Sequence, residues 1–130
     1  MTVYLHEGDL PDGLDLGPEV AIDSETMGLR LGRDPLCVVQ LSSGDGNAHV
    51  VRLNRPAYDC PNLKRLLADP KVLKLFHFGR FDIAMFLLHL GVTTAPGTAD
   101  ILVAQLFNET PPLAAQAYLP QRFLGEAVYA

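Results

Sequence analysis

Apolar positions change their rhythm near Pro56. Before it they fall in short runs rich in β-branched residues: residues 3–5, 19–24, 36–41 and 48–53. Such runs, separated by Gly, Pro, Asp and Asn, predict strands. Residues 8–18 hold three Gly, two Pro and three Asp and predict a loop. A polar turn is expected at residues 31–34. Residues 42–47, rich in Ser, Gly, Asp and Asn, predict the turn of a hairpin between the third and fourth strands. The four strands are expected to form an antiparallel meander.

After Pro56 the spacing becomes helical. Residues 60–69 predict a helix stopped by Pro70, and residues 72–76 a fifth strand. Because a helix leads into it, that strand is expected to run parallel to a neighbour. Residues 80–90 predict an amphipathic helix with Phe81, Ala84, Met85 and Leu88 as its apolar face, closed by Gly91. A connection is expected at residues 92–97, and helices at residues 99–107 and 113–124 around Thr110-Pro111-Pro112, with Pro120 as a kink. Strands first, then helix, strand and further helices, predict one α/β domain over residues 1–130, with a five-stranded mixed sheet covered by helices.

Composition narrows the class. The chain is 48% hydrophobic and 19% charged, the balance of a globular protein. No apolar run approaches the roughly 20 residues of a membrane span. Residues 1–7 lack the basic flank and apolar stretch of a signal peptide. Cys37 and Cys60 have neither metal-type nor redox-type spacing, so both are expected to be reduced thiols of a cytoplasmic protein. A formal net charge of −5 excludes broad, sequence-independent coating of nucleic acid, but not the gripping of one strand end.

Candidate chemistry lies at two places. In Val20-Ala21-Ile22-Asp23-Ser24-Glu25-Thr26-Met27-Gly28-Leu29, an apolar strand delivers two carboxylates one residue apart. Residues i and i+2 of a strand share a face, so Asp23 and Glu25 leave side by side. Like charges so placed suit a hard divalent cation such as Mg²⁺. Taken alone, the pair equally describes a strand that ends in solvated acids. Gly28 then allows a sharp turn. The second place is His77-Phe78-Gly79-Arg80-Phe81-Asp82, directly after the fifth strand. Asp82 falls in the first turn of the following helix, where exposed N–H groups favour a negative charge. It can cap that helix and bind a metal at once. His77 reads as a packed or hydrogen-bonding residue, and Phe76, Phe78 and Phe81 read as core. Asp34, Asp45 and Asp59 occupy turn contexts and are given no chemical role.

Together the two segments, with Gln40-Leu41 between them, resemble the ribonuclease D group of the DEDD superfamily of 3′→5′ exonucleases. The likeness begins at His6-Glu7-Gly8-Asp9-Leu10-Pro11 and runs to about residue 96. It implies a ribonuclease H-like fold, a five-stranded mixed sheet with helices on both sides. Asp23 and Glu25 match the family's first exonuclease motif, and Asp82 the acid of its second. Met27, Gly28 and Leu29 match positions that contact the terminal nucleotide, and His77 and Phe81 are expected beside them. The family's chemistry uses two Mg²⁺ or Mn²⁺ ions to release nucleoside 5′-monophosphates from a 3′ end, with RNA favoured over single-stranded DNA. Arg30, Arg33 and Arg80 are either phosphate contacts or ordinary solvated cations.

The family also carries a third motif, Tyr-x-x-x-Asp or His-x-x-x-x-Asp, on a final helix. Tyr118 is followed four residues later by Arg122, and Tyr129 by a single residue, so neither supplies it. The expectation is therefore a C-terminally shortened exonuclease domain. The alternative is a weak or inactive module that binds metal or nucleic-acid ends, active only if another segment or chain supplies the fourth carboxylate. A third reading is a structural or interaction domain that retains only the fold.

Overall fold

The computed structural model describes residues 1–94 and 97–100. Six strands form one mixed sheet: β1 (Thr2–Glu7), β2 (Glu19–Thr26), β3 (Leu36–Ser42), β4 (Asn47–Arg52), β5 (Leu73–Phe76) and β6 (Thr98–Asp100). Their order across the sheet is β1-β4-β3-β2-β5-β6. Helix α1 (Pro61–Ala68) precedes β5, and α2 (Arg80–Met85) follows it. A π-helical turn, Phe86–Leu90, extends α2 and ends at Gly91 in the left-handed conformation, as expected for a glycine terminator.

The centre of the sheet matches expectation. β2, β3 and β4 are successive antiparallel neighbours. β5 joins β2 in parallel, as a strand reached through a helix should. Two expectations are corrected. The first four strands are not one antiparallel meander, because β1 lies at the edge, parallel to β4. The long Gly- and Pro-rich loop after β1 is no hairpin turn; it carries the chain past β4 and β3 to β2. Among the described residues the sheet also has six strands rather than five. Residues 99 and 100 belong to β6, parallel to β5, and do not start a helix. Gly97, with φ of 74°, turns the chain there, and its carbonyl accepts from the Lys74 N–H at 2.6 Å. The remainder of that expected helix, and the one at residues 113–124, lie outside the described residues.

One core holds these elements together. The inward side of the sheet supplies Val20, Ile22, Val39, Leu41 and Val51, and α1 adds Leu63 and Leu67. Helix α2 and its π-helical extension bury Met85, Phe86 and Leu90. This corrects the expected apolar face at Leu88, which is exposed, whereas Met85 is buried and the half-buried Phe81 packs against the core. The wider π turn shifts the phase of the last residues and carries Leu88 away from the core. The N-terminus of α1 is capped from a distance. Asp9 accepts from the backbone N–H groups of Asn62 and Leu63, each at 2.8 Å. Thus the loop after β1 is fastened to α1 by the free donors that every helix start presents.

Cys37 and Cys60 are free thiols, and burial raises the Cys60 pKa to about 11, which keeps it unreactive. Among the described residues no helix is long and apolar enough to cross a membrane.

Candidate active site at the free edge of strand β2

Strand β2 is longer than its sequence pattern predicts and continues to Thr26, so Asp23 and Glu25 both lie within it. The alternation of the strand buries Val20 and Ile22 and turns Asp23 and Glu25 to the opposite, exposed face. On one side β3 accompanies β2 from Ala21 to Thr26. On the other side β5 accompanies it only from Glu19 to Ala21. Past Ala21 no described strand pairs with that edge. The chain leaving β5 folds back there as α2 and delivers Asp82.

Asp82 is buried, at 8% exposure. The Ser24 hydroxyl donates to its Oδ1. Burial is the chief cause that raises the Asp82 pKa, the Ser24 hydrogen bond opposes it, and the negative charge of Asp23 raises it further. Asp23 and Asp82 are therefore within electrostatic reach of one another, although the side chain that holds Asp82 belongs to the other face of β2. Ser24 was not singled out from the sequence. Its only signal there is its place between two acids, where alternation turns it to the face they avoid.

The approach to Asp82 is tightly built. Gly79 immediately precedes α2, and a Cβ at that position would stand 2.3 Å from the Phe76 Cβ. Phe78, immediately before it, has φ of 57°, a left-handed conformation uncommon for a residue with a side chain. His77 and Phe78 are exposed and Phe81 is half-buried, so Phe78 is not the core residue its hydrophobicity suggests.

The loop after β2 is ordered by Asp34, which the sequence reading left without a role. Asp34 is buried, accepts from the Arg30 N–H at 2.9 Å, and receives two hydrogen bonds from the Arg33 guanidinium at 2.6 and 2.7 Å. These bonds hold the Asp34 carboxyl below its ordinary range. A Cβ on Gly28 would meet Asp34 Oδ2 at 2.3 Å, so the loop closes only around a glycine. Met27 and Leu29 are thereby held out into solvent beside Glu25, at 68% and 83% exposure. All three arginines considered as phosphate contacts are exposed, and Arg33 is in addition paired with Asp34.

The donor set is all carboxylate oxygen, the chemistry of hard divalent cations. A cation would relieve the cost of ionising Asp82 beside Asp23. Among the described residues no three His, Cys, Asp or Glu side chains gather closely enough to hold one unaided.

Comparison with known proteins agrees with this architecture. The profile of the 3′-5′ exonuclease family matches residues 10–125. A ribonuclease D of Granulibacter bethesdensis is 44% identical over 79 residues, which are 61% of this chain and 20% of that protein. One of Acidiphilium cryptum is 39% identical over 87 residues, 67% of this chain and 22% of its own length. The chain thus spans about a fifth of these relatives. Among solved structures, Brucella melitensis NrnC with bound Mg²⁺ is 41% identical with a TM-score of 0.74, covering 83% of this chain and 54% of NrnC. Ribonuclease D of Escherichia coli is 26% identical with a TM-score of 0.56, covering 72% of this chain and 24% of that one. With its ribonuclease H-like sheet and its family profile over nearly the whole length, this chain belongs to the 3′-5′ exonuclease family, in the company of ribonuclease D.

Proposed function

We propose that the chain carries a divalent-metal-dependent centre that removes nucleotides from the 3′ end of RNA, with single-stranded DNA as a lesser substrate. The observation that carries this reading is the placement of Asp82 at the free edge of β2, desolvated and within reach of the Asp23 charge. Asp23, Glu25 and Asp82 would hold two Mg²⁺ or Mn²⁺ ions. When bound, such a pair lowers the pKa of an attacking water and stabilises the departing 3′ oxygen, giving nucleoside 5′-monophosphates. The protein's own share is positional. Ser24 holds the Asp82 carboxylate in place. Met27, Gly28 and Leu29, with His77 and Phe81, would contact the terminal nucleotide. NrnC, a neighbour at 41% identity, has been seen with Mg²⁺ and with pGG, which supports both the metal and the RNA. The free thiols support a reducing, cytoplasmic setting.

A second reading has its own support. No group of three possible metal ligands forms among the described residues. The domain would then bind metal or RNA ends and turn over only when another segment or chain adds a carboxylate.

Release of mononucleotides from a 3′-labelled oligonucleotide in Mn²⁺ separates the two. Steady release that Asp23→Asn abolishes is expected of the first reading. Mn²⁺ binding without release favours the second, and absence of both, in a chain folded by circular dichroism, would defeat both.

A further inference from the structure

Strand β1 is an outer edge of the sheet, and among the described residues no strand pairs with its far side. Backbone direction shows which of its groups face outward. The Thr2 N–H donates to the Gly46 carbonyl and the Gly8 N–H to the Arg52 carbonyl, both toward β4. Successive residues of a strand direct their N–H and C=O groups to alternate sides. Thr2, Tyr4 and His6 therefore point theirs at β4, and Val3, Leu5 and Glu7 point theirs outward. The side chains are open as well: Val3, Tyr4 and Leu5 are 58%, 45% and 63% exposed. Sheet edges are commonly guarded by Lys, Pro or a bulge. Residues 2–7 contain neither Lys nor Pro, and their pairing with β4 runs without a register shift. Glu7, the one carboxylate, is paired with Arg52 at 2.8 Å. The strand is also held in place from its inner side. Tyr4 stacks on the buried His49 with ring centroids 5.1 Å apart, and His6 Nε2 lies 2.9 Å from His49 Nδ1.

We infer that β1 is a dimerisation edge, which pairs antiparallel with β1 of a second copy across a twofold axis and sets Tyr4 opposite its own twin. The strand is its own complement. Two sheets that join with continuous faces must set odd positions against odd and even against even, so the axis passes through a residue and not between two. With the axis at Tyr4, Val3 of each copy meets Leu5 of the other, apolar against apolar on one face. The same two positions carry the outward N–H and C=O groups, so each Val3–Leu5 pair closes two hydrogen bonds. Thr2 meets His6, and no two carboxylates are opposed. An axis at Leu5 would set Val3 against Glu7, and one at Val3 would shorten the overlap. A foreign strand would have to bring this pattern, whereas a second copy always has it. A six-residue edge is small beside the roughly 800 Å² per partner of a standard interface, so the dimer is a dissociable one. Strand β2 lies three strand spacings from this edge, about 14 Å, so pairing leaves Asp23 and Glu25 open whatever chemistry they perform.

Sedimentation velocity on the full chain, from about 1 to 300 μM, tests this pairing. A monomer–dimer equilibrium is expected, with a Kd on the order of 10–100 μM. Leu5→Lys places an ammonium against Val3 at two symmetric points and should raise that Kd about tenfold or more. Leu5 is exposed, so the thermal melt of this variant at low concentration should match that of wild type. Disulfide formation under mild oxidation reads the register. Opposed residues of a pair without mutual hydrogen bonds have Cα atoms about 4.5 Å apart, within reach of a disulfide, so Tyr4→Cys should cross-link to its twin. Leu5→Cys should not, because its twin stands on the diagonal at roughly 8 Å. Wild type, with its free Cys37 and Cys60, measures the background, and peptide mapping locates the link. A monomer at every concentration, a dimer that Leu5→Lys leaves unchanged, or cross-linking through Leu5→Cys in preference to Tyr4→Cys overturns the proposed pairing.

Discussion

Ser24 and Asp82, 58 positions apart in the chain, are joined by a hydrogen bond from the serine hydroxyl to the carboxylate. It links the strand that carries two acids to the helix that carries the third. It also opposes the burial and the Asp23 charge that push the Asp82 pKa up. The two neighbours thus act on one carboxyl in opposite directions.

Opposite shifts should follow from removing each. Ser24→Ala takes away a donor to the ionised form, so the Asp82 pKa should rise further. Asp23→Asn takes away a like charge, so it should fall. Carboxyl carbon NMR on the metal-free chain reads both, and shifts of the same sign in the two variants would contradict the proposed balance. In Mn²⁺, Ser24→Ala should move the acid limb of the activity profile to higher pH, and Ser24→Thr should restore it.

Asp82→Asn should make the metal-free chain more stable at neutral pH while removing Mn²⁺ binding. The sign follows from linkage. A carboxyl whose folded pKa is raised holds more protons folded than unfolded, so its contribution is present below the unfolded pKa and lost as pH rises through the folded one. At neutral pH the folded chain therefore bears an unfavourable ionised group, which Asn replaces with a neutral one. A melting temperature about 2–5 °C above wild type is expected. A lower value would show that the Ser24 bond to the ionised carboxylate outweighs its desolvation.

Gly28→Ala should cost about 1–3 kcal/mol, because the new Cβ enters space held by Asp34, itself fixed by Arg33 and the Arg30 N–H. The effect should be strongly non-additive with Asp34→Ala, which vacates that space. Chemical denaturation of the two single variants and the double variant measures the coupling. Additive costs would mean that the loop does not close around these two residues.

Lys74 gives a prediction of the other sign. It is fully buried in β5, its Nζ donates to the Asp69 carbonyl at 2.5 Å, and burial lowers its pKa. Below the model-peptide value of 10.5 the unfolded chain holds the proton more readily, so this group's contribution grows as pH rises toward 10.5 and fades as pH falls. Relative to Lys74→Met, wild-type stability from denaturant melts should increase through that alkaline range. Parallel curves for the two proteins would refute it.

Much of this was legible in the one-dimensional pattern. Runs of β-branched residues located β2 to β5 within two residues at either end, because burial on one face leaves a period that composition alone carries. Asp23 and Glu25 on a common face followed from the same alternation. Less could be read where a residue's role is set by what lies far along the chain. Phe78 looked like core and is exposed, since its left-handed backbone turns it outward. Asp34 looked like an ordinary turn residue and is the buried hub of the loop that presents Met27 and Leu29. The parallel placing of β1 beside β4 left no local mark, because an edge pairing between distant strands needs no special turn.

The amino-acid order by itself determined which residues carry charge, which strand they leave from and which family the motifs belong to. Only the tertiary structure decided that β5 stops pairing with β2 at Ala21, and that Asp82 fills the edge left open beyond it. The physical reason is that strand alternation is a local property of the backbone, whereas the burial of a carboxylate depends on everything packed around it.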